Sequence, residues 1–66
     1  MSNLAEGLVE EIKRNQELLE QYKEIGPVGA FGYTMIKADV NEALDAQASG
    51  DVIRMIRIYE KLKGNK

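Results

Sequence analysis

The sequence predicts an all-α fold: a three-helix chain, with a long N-terminal helix and a helix-turn-helix hairpin, assembled as a helical-bundle homodimer. Three observations carry that expectation. Apolar residues recur at spacings of three and four from Ala5 to Tyr22, the period of one helix face. Two clusters, Gly26-Pro27 and Ser49-Gly50-Asp51, carry residues that end one helix and open another. The first helix, about 33 Å long at 1.5 Å per residue, outgrows the segments left to pack against it.

The first helix is expected over about 3–25. Asn3 is its candidate N-cap, with Glu6 three residues on as in a capping box. Ala5, Leu8, Ile12, Asn15, Leu19 and Tyr22 form a heptad-like seam, which Leu4, Val9, Leu18 and Ile25 widen toward the stripe of a bundle. Asn15 interrupts the seam. It either sets register by pairing with its symmetry mate, or sits at the edge while the helix rotates Leu18 and Leu19 inward; the second reading is the simpler. Met1 and Ser2 are expected to precede the ordered chain.

Gly26 suits a helix C-terminus and Pro27 the first turn of the next segment. The second helix is expected over about 29–48. The glycines at 26, 29 and 32 do not make a phosphate loop, since no strand precedes them and no Gly-Lys-Ser/Thr comes after. They read as a tight corner, with Phe31 anchored in the core there. Ile36, Val40, Ala43, Leu44 and Gln47 give the inner stripe of this helix, with Phe31 and Met35 near its start. Lys37, Asp39, Glu42 and Asp45 give its wet face.

Gly50 reads as the cap that ends the second helix and Asp51 as the N-cap of the third. So short a link forces an antiparallel hairpin. The third helix is expected over about 52–63, before Gly64 and a frayed tail. Val52, Met55, Ile56, Tyr59 and Leu62 form one stripe, and Ile53 and Ile58 extend it almost round the helix. Three helices alone would not cover all of these, which points to a subunit interface.

Length and composition narrow the functional classes. Sixty-six residues make one domain, 1–66, burying only about 60% of its unfolded surface. Domains this small usually draw on a disulfide, a metal or an oligomer. There is no Cys and no His, so a disulfide is closed off, a transition-metal site lacks its usual donors, and no EF-hand spacing is present. Oligomerisation is the option left, with a well-packed monomer still open. The lack of Cys agrees with a cytoplasmic setting. The chain begins without a signal-peptide pattern and holds no apolar run of about 18 residues, so no membrane partner is expected.

The charge is unevenly distributed. The net charge is −2, with residues 1–25 and 26–51 each at −3 and residues 52–66 at +4. An acidic front and a basic tail attract each other, within one chain or between two.

No catalytic residue, metal site or cofactor is expected. A nucleophilic triad needs a base, normally His. Ser2, Thr34 and Ser49 fall where caps and solvent-facing fillers sit, and Glu6 and Glu10 share an exposed helix face where carboxylates stay ionised and inert. Tyr22, Tyr33 and Tyr59 read as core-edge residues, and Met35 and Met55 as packing residues. Arg54, Arg57 and Lys61 form a basic face that raises nucleic-acid binding as an alternative. Against it, that helix is mostly apolar, lacks Asn, Gln or Ser for base edges, and belongs to an acidic protein.

Two resemblances bear on this reading. Ala46-Gln47-Ala48-Ser49-Gly50-Asp51-Val52, continuing to Ile58-Tyr59-Glu60-Lys61-Leu62, resembles the hairpin of tetratricopeptide-type repeats over about a third of the chain. Only one such unit is present and the aromatic and Pro positions of the pattern are missing, so no repeat array is implied. The stretch Ile25-Gly26-Pro27-Val28-Gly29-Ala30-Phe31-Gly32, then Met35-Ile36, Ser49-Gly50-Asp51-Val52-Ile53 and Tyr59-Glu60-Lys61-Leu62-Lys63, resembles small uncharacterised proteins encoded by bacteriophages and prophages. That likeness implies a bacterial cytoplasmic setting and an accessory role acting by contact.

The expected function is therefore non-catalytic protein–protein interaction by a self-associating chain, a dimer first, with a further protein partner open. Leu8, Ile12, Asn15, Leu19 and Tyr22 are the expected dimer contact, with Ile53, Met55 and Ile56 as second candidates.

Overall fold

The computed structural model describes residues 3–66; Met1 and Ser2, and the expectations for them, lie outside the described residues. Three helices occur in order: α1 Leu4–Ile25, α2 Ala30–Ser49 and α3 Val52–Lys63, with a 3₁₀ turn at Gly26–Gly29 joining the first two. No strand is present among the described residues. The helices pack pairwise into one body of 36 × 23 × 16 Å.

Local chemistry sets the boundaries. Asn3 Oδ1 accepts the Glu6 N–H at 2.9 Å, satisfying one of the free donors at the start of α1. Gly26 takes φ 84°, a region open mainly to glycine, and Pro27 sits in the first turn of the 3₁₀ segment. At the other corner Gly50 is left-handed at φ 70° and its N–H caps the Ala46 carbonyl at 3.0 Å. Asp51 Oδ1 then accepts the Arg54 N–H at 3.2 Å, opening α3.

The first corner is filled differently from the expectation. A Cβ on Gly32 would lie 2.3 Å from the Tyr22 ring, and one on Gly29 would lie 2.4 Å from the Tyr22 carbonyl oxygen. Tyr22 of α1 therefore occupies the inside of the corner, against two glycines that leave room for it. Phe31 lies between those glycines on the outward side and is 78% exposed; it is not a core anchor.

α1 and α3 run parallel. Gly7 lies against the Tyr59 ring, Arg14 reaches Leu62 and Asn65, and the Tyr22 hydroxyl donates to the Lys66 carbonyl. α2 runs antiparallel to both, with Arg54 meeting Asp45 and Lys61 meeting Asp39 across the hairpin. The core is Leu8 and Ile12 from α1, Ile36, Val40 and Ala43 from α2, and Ile58 and Leu62 from α3, ringed by Leu18, Leu19, Tyr22, Met55 and Tyr59. Each fully buried Leu or Ile contributes about 1.5–3 kcal/mol.

Two stripes differ from the sequence reading. On α2, Leu44 and Met35 stay partly exposed while Asp39, expected on the wet face, is buried. On α3 the buried line runs through Ile58 and Leu62, and Val52 and Ile56 face solvent. Asp39 is buried because it faces Asn65 and Lys61, and α3 is turned so that these polar groups meet those of α1 and α2.

That meeting is a hydrogen-bonded cluster across all three helices. Asn15 is fully buried and is neither an edge residue nor free to pair with a symmetry mate. Its Nδ2 donates to the Glu11 carbonyl at 2.8 Å and the Leu62 carbonyl at 3.2 Å. Its Oδ1 accepts from Asn65 Nδ2 at 2.9 Å. Asn65 also donates to Asp39 at 3.1 Å, and Lys61 pairs with the same carboxylate at 3.1 Å. Arg14, held by Glu11 at 2.9 Å, donates to the Leu62 carbonyl at 2.7 Å and the Asn65 carbonyl at 3.0 Å. The tail is thus bound rather than frayed. No buried side-chain nitrogen or oxygen lacks a partner among the described residues.

Asn15→Ala removes the centre of this cluster and leaves buried polar groups unpaired. It is expected to lower stability by about 1–3 kcal/mol, read from urea unfolding. Unchanged stability would show that α3 is held by apolar packing alone.

Candidate interaction surface

With the core closed, what remains outside decides what the chain can contact. Leu8, Ile12 and Asn15, expected at a dimer seam, are buried inside the single chain, and Leu19 and Tyr22 are partly buried against the same core. The seam that suggested a partner helix is completed by α2 and α3. These side chains offer little surface to another copy.

The second set of expected contact residues lies otherwise. Ile53 and Ile56 are 59% and 45% exposed, and Val52 beside them is 56% exposed. Met55 is turned toward the core. At 100° per residue, Val52, Ile53 and Ile56 share the outer face of α3, opposite Ile58. Arg57, Glu60 and Lys63 continue that face toward the C-terminal end, all exposed.

The expected basic face is split. Arg54 Nη2 donates to Asp45 at 2.9 Å, and this hydrogen bond, with the surrounding carboxylates, raises the Arg54 pKa above its ordinary value. Lys61 is drawn to Asp39. Both cations thus turn toward α2. Arg57 and Lys63 form no ion pair among the described residues, and Lys63 lies over the Tyr59 ring with its ammonium 5.2 Å from the centroid. On α1, Glu6, Glu10, Glu17, Glu20 and Glu24 are all exposed and likewise form no ion pair among the described residues.

Two further apolar surfaces were not singled out by the sequence. At the corner, Val28 at 87% exposure joins Phe31, Ile25 and Met35, where α2 extends past the end of the shorter α3. Between α1 and α2, Val9, Ile12, Lys13, Gln16, Leu44 and Gln47 line a shallow groove. A separate, open concavity on α1 alone is lined by Ala5, Glu6, Val9 and Glu10.

Thr34 Oγ1 donates to the Ala30 carbonyl at 3.0 Å and Ser49 Oγ to the Ala46 carbonyl at 3.1 Å, each within its own helix. Among the described residues, no three carboxylates converge as metal donors, and no helix is long and apolar enough to cross a membrane. Compared with protein-family models, curated proteins and solved structures, the chain matches none of them. The surface itself is therefore the ground for a functional reading.

Asn65, Arg14 and Asp39 position these surfaces, and the sequence reading gives none of them that role. A signal is present for Asn65: it comes after Ile58 and Leu62 at spacings of four and three, which carries their face of the helix just past the end of α3. Because Phe31 is exposed, Phe31→Ala should change unfolding free energy by no more than about 0.5 kcal/mol. A loss of about 3–5 kcal/mol, the cost of truncating a buried Phe, would place it in the core after all.

Proposed function

We propose that this chain is a non-catalytic protein–protein interaction protein that self-associates, with a dimer as its smallest assembly. One observation carries the reading. After the three helices have closed a fully hydrogen-bonded core, Val52, Ile53 and Ile56 still stand together on the outside of α3. Neighbouring apolar side chains left in water favour association, which removes them from water at about 25 cal/mol per Å². Their position on a rigid, capped helix holds them in a fixed arrangement without further ordering.

The corner formed by Val28, Phe31 and Met35 supplies a second surface, where a different protein could be held. In the bacterial cytoplasm, the setting implied by the sequence resemblance, such a chain acts by contact as an accessory subunit. Nucleic-acid binding through Arg54, Arg57 and Lys61 is the weaker reading. Two of these three cations lie beside α2 carboxylates, which lowers the potential that a phosphate would meet.

Sedimentation equilibrium across a concentration series tests the proposal. The wild-type chain is expected to exceed its monomer mass as concentration rises. Ile53→Asp/Ile56→Asp, altered only on exposed positions, is expected to stay monomeric with the same helical circular dichroism. Equal masses for the two proteins at every concentration would refute α3 as the contact.

A further inference from the structure

We infer that the depression between the end of α1 and the first turns of α2 holds an acidic, apolar segment of a different protein. An apolar side chain sits on Pro27, Ala30 and Tyr33, and carboxylates beside it pair with Lys23 and Lys37. The inference rests on the reading of the corner as a second contact surface and names the chemistry of what binds there. It does not rest on self-association.

The tight connection makes the depression. α1 stops at Ile25 and α2 starts at Ala30, and small residues stand at the join. A Cβ added at Gly26 would meet no atom within 4 Å. Lys23, Gly26, Pro27, Ala30, Tyr33 and Thr34 line a volume of about 450 Å³, in the range of sites that take a small ligand or a few side chains. Thr34 turns its hydroxyl back to the Ala30 carbonyl. The floor is therefore apolar: the Pro27 ring, the Ala30 methyl and the Tyr33 ring. Covering such a floor with another apolar group removes both from water.

The charges at the depression have one sign. Lys23 is its one charged lining residue. Lys37 holds its ammonium 5.8 Å from the centroid of the Tyr33 ring, a contact that leaves the cation open to a carboxylate. Both lysines are exposed, and neither forms an ion pair among the described residues. No Asp or Glu occurs from Ile25 to Ala38. Glu20 and Glu24 are exposed on α1 near Lys23 but do not line the depression. A partner carrying carboxylates thus meets two unpaired cations, whereas a basic one is repelled.

Other occupants fit less well. A phosphate backbone brings charge without an apolar group and leaves Pro27 and Ala30 uncovered. The chain has an acidic, apolar surface of its own in Ala5, Glu6, Val9 and Glu10, but that surface is also concave. Two concave surfaces do not fill each other, and contacts need complementary shapes.

Two synthetic peptides test the proposal. Each has Leu-Phe at its centre; one is flanked by glutamates on both sides, the other by lysines. They are titrated into the wild-type chain and followed by amide nuclear magnetic resonance. The glutamate peptide is expected to shift Lys23, Ala30, Tyr33 and Lys37 saturably, and the lysine peptide to bind about tenfold more weakly. Lys23→Glu/Lys37→Glu, altered only at exposed positions, is expected to reverse that order, with circular dichroism as the check on its fold. If it fails to fold, Lys23→Gln/Lys37→Gln replaces it and is expected to bring the two peptides to equal affinity. The same titration of Ile53→Asp/Ile56→Asp is expected to give wild-type peptide binding, whether or not the wild-type chain self-associates. Equal affinity of the two peptides for the wild-type chain overturns the proposal. So does an order unchanged by the lysine substitutions, or the lack of a saturable shift at these residues. Shifts there that grow with protein concentration, without peptide, assign the surface to a second copy instead. Binding of phosphatidylglycerol vesicles through Lys23 and Lys37, with neither peptide bound, assigns it to lipid. Either result also overturns the proposal.

Discussion

The last carbonyls of a helix have no partner within it, and in this chain the end of α3 is completed from α1. Arg14 and Asn15 donate to the Leu62 carbonyl, and Arg14 also reaches the Asn65 carbonyl. A cation at a helix C-terminus is favoured by the helix dipole as well as by the hydrogen bonds. Asn65 completes the arrangement by donating to Asn15 and to Asp39. Buried polar groups are costly when unpaired and directional when paired. This cluster therefore fixes how far α3 slides along α1 and how it is rotated about its own axis.

The rotation has a consequence at the surface. α3 carries apolar residues almost all round, so apolar burial alone does not choose among several orientations. Turning Leu62 and Asn65 toward α1, and Arg54 and Lys61 toward α2, puts Ile58 inside and Val52, Ile53 and Ile56 outside. The proposed association thus depends on a polar constraint at the other end of the same helix. The charge split acts alongside it. Arg54 and Lys61 pair with α2, while the carboxylates along the outside of α1 and the cations Arg57 and Lys63 keep their charges available to another molecule.

The elements themselves are legible in the sequence because they rest on local chemistry. Asn3, Gly26-Pro27, Gly50 and Asp51 act as caps whatever the tertiary context, and they set the three helix ranges within a residue or so. Orientation is harder to read. The seam of α1 is real, but whether α2 and α3 or another copy would cover it depends on packing that periodicity does not encode. Hydrophobicity places Phe31 in the core, yet the space belongs to Tyr22, which only the closeness of Gly29 and Gly32 reveals. Asp39 looks solvated because an acid on a helix usually is; its partners are Asn65 and Lys61, distant in sequence. Asn65 reads as tail because Gly64 precedes it. Of the expected contact residues, Ile53 and Ile56 lie on the surface, whereas Leu8, Ile12 and Asn15 belong to the interior.

The locking of α3 to α1 through Asn15 is read most directly by nuclear magnetic resonance of the side-chain amides. The Asn15 Nδ2 protons are expected to be shifted from those of exposed asparagines, to exchange slowly with water, and to show cross-relaxation to Leu62 and Asn65. An Asn15 amide that exchanges as fast as exposed Asn41, with no contact to either residue, would contradict it. α3 would then be free to turn, and its outer face would no longer be fixed.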